Sequence, residues 1–102
     1  MTADEIYQRG VQIIGKLKGV TEDELTGRNR KHDYCVCRQI IWLNMFYGSF
    51  CPYRIIGEYF HRNHATVIYG IRKAEEWLQS PGWQQEQELY DNFFERLWQD
   101  VK

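Results

Sequence analysis

Between Ile55 and Leu78 the chain has to turn a tight polar corner between two apolar helical faces, and few small folds accommodate that. The segment reads I-I-G-E-Y-F-H-R-N-H-A-T-V-I-Y-G-I-R-K-A-E-E-W-L. Ile55, Ile56, Tyr59 and Phe60 recur at helical spacing, and His61-Arg62 interrupt them. Asn63 is then a good N-cap, because its side-chain oxygen accepts from free N–H groups two or three residues on. With that cap, Val67, Ile71, Ala74 and Leu78 face inward, while Ala65, Tyr69 and Arg72, flanked by Thr66 and Lys73, lie around the outer surface. A short helix, a tight turn and a longer helix offering His64, Ala65 and Thr66 in its first turn is the layout of a helix-turn-helix. In that motif the second helix presents its N-terminal residues to base edges in the major groove.

The rest of the chain also reads as helix. Thr2 with Glu5 makes a capping box for a helix to about Lys18, carrying Ile6, Ile13, Ile14 and Leu17 on one stripe and stopped by Gly19. Thr21 with Glu24 repeats the pattern and starts a helical turn ending near Gly27. From Arg28 to His32 there is no apolar period, which predicts an exposed basic loop. Asp33 to Tyr47 is apolar nearly all round and predicts a central buried helix, ended by Gly48, with Pro52 at the first position of the next. Ser80-Pro81-Gly82 breaks the chain before an acidic amphipathic helix from about Trp83 to Val101.

A length of 102 residues suits one domain with a real core and not two. No apolar run approaches the ~20 residues of a membrane span, and no leader pattern opens the chain, so a cytoplasmic protein is expected. The net charge of -1 conceals an uneven distribution. Thr26 to Lys73 carries eight Lys/Arg against two acids, or +6, between ends of -2 (Met1 to Leu25) and -5 (Ala74 to Lys102). A basic centre between acidic ends fits a phosphate-binding face as well as a solvated helical surface. Cys35, Cys37 and Cys51 are expected as reduced thiols on helices. Cys-x-Cys on a helix directs its sulfurs apart and no C-x2-C is present, so no metal site is expected. Desolvation of Cys35 and Cys37 on an apolar helix opposes thiolate chemistry, and no catalytic arrangement is visible, so the chain is read as no enzyme.

The string R-N-H-A-T-V-I-Y-G-I-R-K-A-E resembles the signature of the C-terminal duplex-binding domain of the bacterial replication initiator DnaA, approximately G-R-D-H-[ST]-T-V-x-x-A-x-[RK]-K-I-E. Upstream, Arg28, Arg30 and Lys31 fall where that family has its basic loop, and Arg38-Gln39 where it has an Arg-Gln pair at the DNA surface. The resemblance spans roughly Val20 to Leu78. It implies that His64 and Thr66 read the major groove and that Arg30, with Arg28 and Lys31 beside it, reaches the adjacent minor groove. Three departures stand out: Asn63 replaces the usual Asp cap, the turn is one residue shorter with His61 in place of glycines, and Ala65 replaces Ser or Thr. The family's ATPase module precedes this domain, and nothing here resembles G-x4-G-K-[ST].

The expected fold is therefore all-α, a small helical domain of residues 1-102. Its helix-turn-helix core (20-78) is Trp-repressor-like or DnaA C-terminal-like, and flanking helices include the acidic one at 83-102. The expected role is sequence-specific binding of double-stranded DNA, as a regulator or accessory factor of replication or transcription without ATPase activity, cofactor, metal, membrane or small-molecule substrate. The expected contacts are Arg28, Arg30, Lys31, Arg38, Gln39, Arg62, Asn63, His64, Ala65, Thr66, Tyr69, Arg72 and Lys73. Tyr69 fits the core as well as a phosphate, Arg72 could pair with Glu75 or Glu76, and Gly70 suits a close approach to DNA or to another helix. The alternative is a protein-interaction or self-association module, using the aromatic side of the last helix with Trp77, Trp83, Phe93, Phe94 and Trp98.

Overall fold

The computed structural model describes residues 1–99, which form six α-helices and, among the described residues, no strand: α1 (Ala3–Lys18), α2 (Glu22–Thr26), α3 (His32–Ser49), α4 (Tyr53–Phe60), α5 (His64–Gln79) and α6 (Gln84–Trp98). The last residues of the expected C-terminal helix, Asp100 and Val101, lie outside the described residues.

Local sequence sets most of the helix ends. Both capping boxes form: Thr2 accepts from Glu5 N at 3.2 Å while Glu5 accepts from Thr2 N at 2.9 Å, and Thr21 and Glu24 repeat the exchange at the same distances. Gly19 closes α1 at φ 69°, a left-handed conformation that costs glycine nothing. Two expected boundaries move. Gly48 does not end α3 but lies inside it, where an added Cβ would come within 2.8 Å of the Trp98 ring; Phe50 takes the left-handed cap position at φ 56°, with its side chain 87% exposed. Pro52 is the N-cap of α4, one residue before the expected position.

Helix α3 packs against all five other helices, which explains why it is apolar on nearly every side. Val36, Cys37, Ile40, Ile41, Trp42 and Met45 are buried along it. Opposite them α5 contributes Val67, Ile71, Ala74 and Trp77, with Leu78 only half-buried, so its inward face is turned slightly from the expected one. Burying one large aliphatic or aromatic side chain contributes about 1.5–3 kcal/mol, so this shared core holds α5 against α3. The approach is closest at Gly70, whose absent Cβ would be 2.5 Å from Trp42 Cζ3; the partner is thus another helix. Helix α6 completes the core by burying Phe93 and Leu97, mainly against α1.

Candidate nucleic-acid interface

The corner between α4 and α5 is tight because two residues permit it. His61 adopts φ 57°, and Arg62 N donates to Gly57 O at 2.9 Å; a side chain on Gly57 would collide with the Arg62 carbonyl oxygen. Asn63 then caps α5 as expected. Its Oδ1 accepts from Thr66 N at 2.9 Å and from the Thr66 hydroxyl at 3.1 Å. His64, Ala65 and Thr66 are all exposed in the first turn.

Across from this turn lies the loop that follows α2. Asn29 Oδ1 accepts from Lys31 N at 2.9 Å and folds the loop on itself, while Arg28, Arg30 and Lys31 project into solvent. The loop and α5 are two walls of one open groove of about 1140 Å³. Arg28 and Arg30 line it from the loop, Asn63, Ala65, Thr66 and Tyr69 from α5, and Arg38, Gln39, Trp42, Arg62 and Gly70 also line it. Tyr69 is 67% exposed, so its ring belongs to the groove and not to the core. Lys31, His64, Arg72 and Lys73 are not among the lining residues.

Two of the expected contacts, Arg38 and Arg62, line the groove but use their donors inside the protein. Arg38 is only 3% exposed, and its donors point into the protein: Nε to Leu25 O at 2.6 Å, Nη2 to Glu24 O at 2.8 Å and Gly27 O at 3.2 Å, and Nη1 to Cys35 Sγ at 3.9 Å. Arg62 is half-buried and likewise donates to main-chain oxygens, those of Thr26, Gly27 and Phe60. Desolvation lowers the proton affinity of both guanidiniums; around Arg62 the neighbouring Arg38 charge adds to the effect, and around Arg38 the Cys35 sulfur opposes it. Gln39 uses its oxygen to accept from Trp77 Nε1 at 2.9 Å, leaving its amide NH2 as a donor on a residue that lines the groove.

The outer cations of α5 divide. Arg72 is exposed and has no ion pair among the described residues, whereas Lys73 is half-buried, 3.6 Å from Glu76 and 5.9 Å from the centre of the Trp83 ring. Glu75, the other acid expected near Arg72, instead accepts from the Tyr47 hydroxyl at 2.6 Å. Sequence reasoning also missed Thr26, Gly27, Cys35, Trp42 and His61 as groove-lining residues. Only His61 carried a signal, as a lone residue standing where a tight turn must adopt a left-handed conformation.

Other sites are sparse. Among the described residues no group of three or more His, Cys, Asp or Glu is placed to hold a metal ion, and no helix is long and apolar enough to cross a membrane. All three cysteines are free thiols, and burial pushes Cys37 up to about 12. On α6 the aromatic stripe is mostly internal: Phe93 and, from α5, Trp77 are buried, while Phe94 is 45% exposed.

Comparison with known proteins agrees with this geometry. Residues 11–74 match the family described as the bacterial dnaA protein helix-turn-helix. The chain is 29% identical over 72 residues to the chromosomal replication initiator protein DnaA 2 of Chlamydia caviae, covering 71% of this chain and 16% of that protein. It is 28% identical over 69 residues to DnaA 1 of Chlamydia pneumoniae, covering 68% of this chain and 15% of that one. The chain thus spans about a sixth of the length of these relatives, and no solved structure matches it at a significant level. With a family match over more than half its length, the chain belongs to the bacterial DnaA helix-turn-helix family.

Proposed function

We propose that this chain binds double-stranded DNA sequence-specifically, as a nucleoid-associated regulator or accessory factor of replication or transcription without ATPase activity. The observation that supports this reading best is that the exposed arginines of the loop and the exposed first turn of α5 form opposite walls of one groove. A duplex seated with α5 in its major groove brings Arg30 to the adjacent minor groove, with Arg28, Lys31 and Arg72 near phosphates.

Hydrogen bonds already made within the protein restrict what each reading residue offers. The Thr66 hydroxyl donates to Asn63, so toward a base it presents an acceptor and a methyl group, suited to adenine N6, cytosine N4 or a thymine methyl. Asn63 has its oxygen engaged twice, which leaves only its NH2 and favours guanine acceptors or phosphate. An Asp cap would offer no donor, so Asn63 shifts the preference at that base pair relative to the family's usual residue. Ala65 provides apolar contact and His64 a donor or an acceptor.

The test is a fluorescence-anisotropy titration against a duplex carrying the initiator's box and a scrambled duplex of equal length, at two salt concentrations. Box-selective, salt-sensitive binding supports an initiator-site competitor or accessory factor, and equal binding to both directs the search to other sequences. Absence of binding to either at low salt refutes the proposal and favours the interaction-module reading, for which the exposed Phe94 on acidic α6 is the observation in favour.

A further inference from the structure

A helix leaves its last carbonyl groups without intrahelical partners, and α2 is only five residues long, so its C-terminus has little of its own structure to rely on. Its closing residue, Gly27, is extended and not a left-handed cap. The four consecutive carbonyls of Glu24, Leu25, Thr26 and Gly27 nevertheless all accept hydrogen bonds, and every one comes from Arg38 or Arg62. Both guanidiniums converge on Gly27 O, Arg38 at 3.2 Å and Arg62 at 2.5 Å. Arg62 also holds Phe60 O at 2.7 Å, so it joins the end of α2 to the helix-turn-helix corner. Arg38 joins the same point to α3, next to Gln39, which in turn holds Trp77 of α5.

From this geometry we infer that Arg38 and Arg62 form a two-arginine clamp that fixes the root of the basic loop at a set distance from α5, and that both are positioning residues rather than DNA contacts. The inference rests on the DNA-binding reading of the groove. Two cations side by side repel, and such a pair persists where carbonyl oxygens supply the compensating partial charge, as the four carbonyls do here. Arg28 begins immediately after Gly27, so the clamp sets where the loop departs. A loop anchored beforehand loses less freedom on binding than a free one, and its arginines meet the minor groove in register with the α5 first turn.

A DNA-touching arginine and a clamp differ in their salt dependence. Removing one side chain that neutralises a phosphate reduces the slope of log affinity against log salt by about 0.9, whereas removing a positioning residue lowers affinity and leaves the number of released counterions as it was. The experiment measures duplex affinity over a range of salt for wild type, Arg38→Met, Arg62→Met, the double variant and Arg28→Ala, with hydrogen exchange of the amides from Arg28 to Lys31 in the free proteins. The expected results are an affinity decrease of about tenfold or more in each Met variant at an unchanged slope, a double variant little worse than the poorer single one, and faster exchange in the loop. Arg28→Ala instead reduces the slope. A slope reduced by about one phosphate's worth in either Met variant overturns the clamp, as does unchanged affinity with unchanged loop exchange. If buried Arg38→Met fails to fold, as circular dichroism reports, half-buried Arg62→Met carries the test. If wild-type protein binds no duplex, the DNA-binding reading fails by itself, and loop exchange in Arg62→Met still decides whether the clamp exists.

Discussion

Replacing Gly70 by Ala separates helix propensity from packing. In an exposed helix the change stabilises by about 1 kcal/mol, because Ala restricts the unfolded chain and fits the helix. At Gly70 the new methyl would lie 2.5 Å from Trp42 Cζ3 and 2.7 Å from Cε3, closer than carbon atoms approach. The obstacle is a rigid ring held in the core, 3% exposed and set edge-on against Phe60 at 5.6 Å between centroids, so it has little room to retreat. Forced overpacking of this kind costs about 1–3 kcal/mol or more, and with two ring atoms inside 3 Å the upper end applies. The net expectation is destabilisation by about 2 kcal/mol, which for a domain of this size lowers Tm by about 10 °C. Urea and thermal unfolding followed by circular dichroism measure both quantities. The obstacle is the larger indole ring, so Trp42→Phe should restore most of the stability that Gly70→Ala removes. Trp42 Nε1 has no hydrogen-bond partner, so that second change breaks no polar interaction. A Gly70→Ala protein more stable than wild type would show that the ring yields and that propensity outweighs the clash.

Three further outcomes are expected. Arg30→Ala and His64→Ala should each abolish retention on a duplex column while leaving the far-ultraviolet spectrum unchanged, since both side chains are exposed and neither supports the core; wild-type retention in both would refute the assigned contacts. Asn63→Ala removes the cap of α5 and should cost about 1 kcal/mol in urea unfolding, whereas Asn63→Asp keeps the cap and should cost little. Glu24 and Glu86 are held below the ordinary value of 4.5, Glu24 first by the Tyr34 hydroxyl and Glu86 by His32. A carboxylate with a depressed value in the folded state contributes stability above its unfolded value and loses it as pH falls through the folded one. Tm should therefore decline below about pH 4.5, and less steeply in Glu24→Gln; parallel pH profiles for the two proteins would contradict that assignment.

What could be read from the sequence was what short-range chemistry decides. The caps at Thr2, Thr21 and Asn63 pair residues three apart, so their geometry follows once a helix exists. The unexpected features depend on distant partners. Gly48 looked like a helix end, but it is small because Trp98, 50 residues away, packs on it. From the sequence Trp77 is a candidate for the aromatic partner surface, but its indole turns inward to reach Gln39. Arg38 and Arg62 have the composition of DNA contacts, and nothing local distinguishes an arginine that faces phosphate from one that caps another helix. Tyr69 lies at the margin of the α5 outer face, where spacing alone permits either environment, and the tertiary fold settles its exposure.

For the acidic helix α6 the sequence leaves two roles unseparated, core packing and electrostatic screening. Its acids could weaken binding by screening the basic groove, and the simplest test, removing the helix, fails on structural grounds. Phe93 and Leu97 are fully buried, and truncation would strip the core that supports α1 and α3. Glu88, Asp91 and Glu95 are exposed and can be neutralised without touching that core. A purely long-range field acts through solvent and fades beyond about 10 Å at 0.1 M salt. Glu88→Gln, Asp91→Asn and Glu95→Gln together should therefore raise duplex affinity several-fold at low ionic strength and leave it unchanged at about 0.2 M or above. Equal affinities at low salt would mean that α6 acts through packing alone. A gain that persists at high salt would mean instead that these acids meet the DNA directly.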